Sequence, residues 1–346
     1  MALAIERKAV TKWVERLLEL GEVIAPVRTP CGDLLFSIVH SAEEVVWDSA
    51  NPLHPPKAFV LPQTDPLVKI TRNGQGVELE PIHDGARRFL VNVRSCDAKG
   101  IAFLTRMHEM DPADASYLRR SDNLTIISMA CISPCAVGFC ICADSGPFLN
   151  DSYDVQLTDL GETYLAEVGS AKGQAAVAEE PNLFRNATEE EVIRRKNLEA
   201  AARNHFGEEN CHFGSAMRRI STGRVPDALW EKMSDWCLEC GACNFVCPTC
   251  YCFSVKDLGG NGTWTRCRLW DSCQYSAFTL EASGHNPRAQ RKDRMKRRFF
   301  HKVSAQYYAR DGMVGCVGCG RCIKVCLGAT HMPAVVSAIR KGKWHE

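Results

Sequence analysis

The chain has 346 residues, enough for two domains that each bury a core, and its apolar (45%) and charged (24%) fractions suit a globular protein. Lys plus Arg (42) nearly balances Asp plus Glu (41), so no global field draws nucleic acid or an acidic membrane surface. The start, MALAIERKAVTKWVERLLELG, lacks the basic lead and apolar core of a signal peptide, and no run of about 18 uninterrupted apolar residues follows, so a cytoplasmic location is expected.

Val10, Trp13, Val14, Leu17 and Leu18 fall on one face of a helix that stops at Gly21 and reads as a docking helix. EVIAPV (22–27) and LLFSIV (34–39) read as strands split by a turn at Pro30, Cys31, Gly32 and Asp33. Residues 51–66 carry five prolines and read as an irregular connection. FLVNV (89–93) is a strand that runs through Cys96 into the helical segment AKGIAFLTRMHEM, and LTIISMA (124–130) is a strand ending at Cys131. Open α/β sheets build sites beyond the carboxyl ends of their strands, where both cysteines fall. Residues 170–186, rich in Ala, Gly and Glu, read as a linker, and Thr188 with Glu191 forms a capping box for the helix that follows.

Nineteen cysteines, an odd number, in a reducing compartment favour metal thiolates over disulfides. Cys237, Cys240, Cys243 and Cys247 have the spacing C-x2-C-x2-C-x3-C, and Cys316, Cys319, Cys322 and Cys326 repeat it. This is the ligand run of a two-cluster ferredoxin, in which the fourth cysteine of each run serves the other cluster. The expected ligand sets are Cys237, Cys240, Cys243 and Cys326 for one [4Fe-4S] cluster, and Cys316, Cys319, Cys322 and Cys247 for the second. Structural zinc uses paired C-x2-C knuckles, and three thiols in immediate succession do not divide into pairs. The small residues Gly241, Ala242, Gly318 and Gly320 let backbone N–H groups approach cluster sulfurs. Leu327 stands where a ferredoxin usually has proline.

Four of Cys96, Cys131, Cys135, Cys140 and Cys142 could converge on a third iron–sulfur cluster; the alternative is thiols packed beside the Gly146–Pro147 turn. Cys250, Cys252, Cys267 and Cys273 read as buried small side chains under the cluster loops, with an extra cluster or a redox pair as the alternative. Cys31 and Cys211 read as isolated structural residues. The run 286–303 holds eight Lys or Arg against one Asp. It reads as a helix that neutralises anionic clusters or docks a partner, or as a solvated face; nucleic acid is not expected. Gly74 and Gly76 lack the third glycine of a dinucleotide fingerprint, and His83, Asp84 and His285 read as structural.

The chain is therefore read as α+β: an N-terminal α/β-type domain over residues 1–180, then an all-helical ferredoxin-like domain over 181–346 carrying two [4Fe-4S] clusters. The motifs PPKAFVLPQTDPL, RSCDAKGI, FCICADSGP, YDVQLTDLGETYLAEVGSAKG, CGACNFVCPTCYCF, ASGHNPR and GCVGCGRCI occur in that order. Together they resemble the iron–sulfur beta subunit of cytosolic sulfhydrogenases and, equally, the iron–sulfur subunit of anaerobic sulfite reductases. The resemblance implies a non-catalytic electron carrier between a flavin subunit that handles NAD(P)H and a catalytic metal subunit, which holds nickel and iron or siroheme. Family members carry Cys-Phe-Cys where this chain has Gly138, Phe139 and Cys140, so a third cluster would need Cys135 or Cys142 in place of the absent thiol. The alternatives are the iron–sulfur subunit of a heterodisulfide-reductase-like or other electron-bifurcating complex, or a stand-alone iron–sulfur enzyme with substrate at the N-terminal cysteines.

Overall fold

The structure is a computed structural model and describes residues 2–48, 51–206 and 212–344. The described residues form strands β1 (Ala2–Glu6), β2 (Glu22–Arg28), β3 (Leu34–Val39), β4 (Thr64–Asn73), β5 (Gly76–Pro81), β6 (Arg88–Arg94), β7 (Leu124–Met129), β8 (Val155–Asp159), β9 (Thr163–Val168), β10 (Phe184–Asn186), β11 (Phe253–Gly260) and β12 (Thr263–Trp270). Eight of them make one sheet in the order β10-β1-β9-β8-β7-β6-β2-β3, whose centre, β8-β7-β6-β2, is parallel.

Strand alternation sends the apolar residues to two faces. Val23, Ala25, Phe89, Val91 and Ile127 pack under the helices Ala9–Leu20 and Ala171–Ala178, while Ile24, Leu90 and Leu124 pack under Ser95–His108 and Ala115–Asp122. Trp13 is fully buried and donates its indole N–H to the Ala176 carbonyl at 2.8 Å, which ties the two helices of the first face together. Gly21 ends the first helix where its backbone meets the Arg87 carbonyl: a Cβ there would lie 2.4 Å from that oxygen. A bulge at Asn92, in left-handed backbone at φ 55°, shifts the register of β6 so that Arg94 and the helix beginning at Ser95 leave the sheet at a new angle.

Residues 170–186, read from composition as a linker, instead hold the helix Ala171–Ala178, capped by Ser170, and then β10, which pairs with β1. Alanine favours helix, and the edge of β1 supplies a partner for the residues that follow.

The C-terminal half was expected to be all-helical, and it is not. Four helices, Phe213–Ser221, Asp227–Ser234, Arg291–Val303 and Met332–Lys341, do form a third core around Trp230, Phe299, Val336 and Ile339. Between the two cysteine arrays, however, β11 and β12 form a hairpin. Its two-residue loop, Asn261-Gly262, has positive φ at both positions (53° and 85°), the turn chemistry that closes such hairpins. β12 then pairs with β4, giving a second sheet, β11-β12-β4-β5. Arg268 on β12 reaches Asp65 at 2.6 Å in a buried ion pair, and Arg120 reaches the same carboxylate at 2.7 Å. The cysteine arrays are thereby anchored to the N-terminal half. No helix among the described residues is long and apolar enough to cross a membrane.

Candidate metal centre

Each cysteine array folds as a loop followed by a short helix, Ala242–Phe245 in the first and Arg321–Val325 in the second. In both, the residues on either side of the middle cysteine are left-handed: Glu239 (φ 55°) and Gly241 (φ 72°) flank Cys240, and Gly318 (φ 59°) and Gly320 (φ 76°) flank Cys319. Left-handed residues at these steps turn successive N–H groups inward and build a concavity for an anion. Glycine supplies that conformation at three positions. At the fourth, the side chain of Glu239 is held by Arg294 and by Arg291, the latter at 3.4 Å. Ala242 is ordinary helix; sequence reading placed it with the glycines.

The thiols gather across the two arrays. Cys237, Cys240, Cys243 and Cys326 line one cavity with Arg298, Gln274 and Thr330. Thr330 serves both loops, since Cys237 hydrogen-bonds to it and its hydroxyl lies 3.5 Å from Cys326 Sγ. Cys247 leaves its own array and becomes an electrostatic neighbour of Cys316, Cys319 and Cys322. Cys243 and Cys322 adjoin each other where the two short helices pack.

Buried cations surround these thiols. Arg294, Arg298 and Lys302 recur every fourth residue on the inner face of the helix Arg291–Val303, and all three are at most 6% exposed. Arg298 lies by Cys243 and Cys322, and its Nε has no hydrogen-bond partner among the described residues. Burial works against its charge, but the surrounding cysteines outweigh it and raise the guanidinium further. Lys302 Nζ donates to the Gly315 carbonyl (2.7 Å) and Thr249 Oγ1 (2.9 Å), and sits 3.5 Å from Cys247 Sγ. Lys57 Nζ donates to the Cys250 carbonyl at 2.8 Å over the Trp270 ring, and burial pulls its ammonium below the ordinary lysine range. Burial also pushes the Cys243 and Cys319 thiols up to about 12. Neutral thiols would leave Arg298 and Lys302 without counter-charge, at high cost. A cube bound by four deprotonated thiolates is anionic and meets them, so the donor set, the orphaned Arg298 Nε and the two inward-turned loops all fit an iron–sulfur cluster.

At the carboxyl ends of β6 and β7, Cys96 and Cys131 stand where strand-end sites are built. Cys140 has Cys131 and Cys135 as electrostatic neighbours, and Cys96 has Cys140 and Cys319. Cys142 packs with Phe139 against the C-terminal core. The structure thus brings Cys96, Cys131, Cys135 and Cys140 together, beside the second array. Gly318 and Gly320 permit this approach: a Cβ on Gly318 would lie 2.5 Å from the Phe139 carbonyl, and one on Gly320 2.3 Å from that of Val137. Arg321, between Gly320 and Cys322, makes a bidentate buried ion pair with Asp97 (2.5 and 2.8 Å) and donates to Asn51 Oδ1 and the Pro52 carbonyl. Sequence reading missed Asp97, Arg321 and Lys57. The four-residue spacing of Arg294, Arg298 and Lys302 was a usable signal, whereas nothing local marks the other three.

The remaining candidates separate. Cys267 is buried in β12, whereas Cys31 is exposed between β2 and β3; Cys211 lies outside the described residues. Gly74 is in the turn of the β4–β5 hairpin. Exposed His285 lies 3.4 Å from Glu281, and Asp84 pairs with Arg88, so neither belongs to the thiol sites.

Residues 236–330 match a family model described as a 4Fe-4S dicluster domain. Over 338 residues the chain is 32% identical to sulfhydrogenase 2 subunit beta of Pyrococcus furiosus, a match that covers 96% of each chain.

Proposed function

The chain belongs to the sulfhydrogenase beta-subunit family of iron–sulfur electron-transport proteins, and from that membership we propose how it carries electrons. Cys237, Cys240, Cys243 and Cys326 hold one [4Fe-4S] cluster, Cys316, Cys319, Cys322 and Cys247 hold a second, and Cys96, Cys131, Cys135 and Cys140 hold a third. The clusters supply one-electron chemistry; the chain's own residues set its conditions. The inward N–H groups around Cys240 and Cys319, with Arg298 and Lys302, stabilise added negative charge and so raise the potential. The observation that carries this reading is the exchange of fourth cysteines, Cys326 into the first cavity and Cys247 among the thiols of the second array, around shared buried cations.

The relay runs between a flavin subunit that handles NAD(P)H and a catalytic metal subunit of the nickel–iron or siroheme type. Neither partner needs a general acid from this chain. The relay predicts that anaerobically purified protein holds about twelve irons and matching sulfide per chain, about eight if the N-terminal site is empty. It also predicts co-purification with flavin and metal subunits and no substrate turnover by the chain alone. Stoichiometric zinc without sulfide would refute it.

A second reading, an enzyme in its own right, has one observation in its favour. A cavity lined by Trp47, Asp48, Arg94, Ser133, Asp159 and Tyr164 lies at the same strand ends as Cys131. Turnover of a substrate by the isolated holoprotein would establish it.

A further inference from the structure

Cys252 and Cys273 belong to neither array, and the hairpin brings them together. Cys252 immediately precedes β11, and Cys273 lies three residues beyond the end of β12. The pairing of Phe253 with Trp270 continues as the Asp271 N–H donates to the Cys252 carbonyl at 2.9 Å, so the two chains stay side by side at the hairpin base. There the two thiols hydrogen-bond to each other. Cys273 Sγ accepts from Gln274 Nε2 (3.5 Å) and from Asn244 Nδ2 (3.1 Å). Asn244 is buried, and its other amide atom, Oδ1, lies 3.4 Å from Cys243 Sγ. One amide therefore lies between Cys243 and Cys273. Cys252 and Cys273 are both partly buried.

We propose that Cys252 and Cys273 are a redox-active dithiol–disulfide pair, a two-electron store coupled through Asn244 to the iron–sulfur cluster at Cys243. Oxidation forms one S–S bond, releases two protons to solvent and passes two electrons, one at a time, to that cluster; reduction reverses each step. The coupling rests on reading Cys237, Cys240, Cys243 and Cys326 as cluster ligands. The shared hydrogen bond makes the pair unequal: it lowers Cys273 against burial and raises Cys252.

Trypsin releases Cys273 in the peptide 269–288, which has no other cysteine. The test is made on anaerobic holoprotein, with iron and sulfide measured in the same sample. After equilibration with oxidised glutathione and alkylation, that peptide is expected to be joined to the one containing Cys252. The junction is lost in Cys252→Ser and kept in Cys250→Ser. Photoreduction of the clusters without any thiol reagent is expected to free both cysteines. A singly alkylated Cys273 in oxidised, iron-replete protein overturns the pair, as does a junction to Cys250. A junction that persists while the clusters are reduced overturns the coupling. A sample with the junction but no iron or sulfide sinks the cluster reading, and the coupling with it, while leaving the pair standing.

Discussion

Replacing Lys302 by methionine keeps the stem of the side chain and removes a buried charge from beside Cys247. The vacated polar groups stay satisfied, because the Thr249 hydroxyl already donates to the Gly315 carbonyl at 2.8 Å. At 3.5 Å from Cys247 Sγ and an effective dielectric of about 20, a unit charge acts on a full electron at that sulfur with about 4.7 kcal/mol. An electron added to a cube is shared over its four corners; a quarter of it at the Cys247 corner feels about 1.2 kcal/mol. At about 2.3 kcal/mol per 100 mV, the expected fall in midpoint potential is about 50 mV, with about 200 mV as the ceiling. The assay is a redox titration of the anaerobic protein followed by EPR. The signal assigned to Cys316, Cys319, Cys322 and Cys247 should move further than the others. An iron-replete variant whose potentials move by less than about 20 mV, or move upward, would refute the reasoning.

Asp97→Asn leaves the Arg321 guanidinium buried without its carboxylate and should cost about 3–5 kcal/mol in anaerobic urea unfolding; the double change Asp97→Leu with Arg321→Met should recover much of that. Gly318→Ala puts a side chain 2.5 Å from the Phe139 carbonyl in left-handed backbone, so iron content should drop even where the fold survives. Cys131→Ser should remove about four irons per chain and Cys142→Ser none, and equal losses would mean that the wrong thiol has been excluded. Hydrogen bonds from Arg185, chiefly, hold the Glu191 carboxyl down to about 2, from an ordinary value of 4.5. A depressed acid stabilises above its unfolded value and loses that contribution as pH falls through the folded one. Glu191→Gln should therefore cost about 1 kcal/mol at pH 7, with the gap to wild type closing as thermal melts are run from pH 4.5 towards 2.

Several features were legible because their causes are local. The ligand loops need only residues three apart and a backbone that turns inward, so the spacing around Cys240 and Cys319 announces them. The Thr188–Glu191 capping box, the apolar strands ending at Arg94 and Met129, and the first helix with its stop at Gly21 likewise follow from neighbours in the chain. The Asn261-Gly262 turn is equally local, but the cysteines on either side of it point to a helical ferredoxin throughout.

Contacts between distant residues were decided only by folding. Spacing names five candidate cysteines in the N-terminal half, but packing of the segment 137–140 against the loop at Gly318 brings Cys96, Cys131, Cys135 and Cys140 together beside the second array. Arg321 meets Asp97 across 224 residues, and Lys57 meets the Cys250 carbonyl across 193. Neither pairing leaves a pattern in the neighbouring sequence. The cysteine repeat by itself determined that iron–sulfur chemistry belongs to this chain, because ligand loops are built from adjacent residues. Which charges surround those loops, and that Cys252 lies against Cys273, was decided by the tertiary structure, because low-dielectric interiors are assembled from segments remote in sequence.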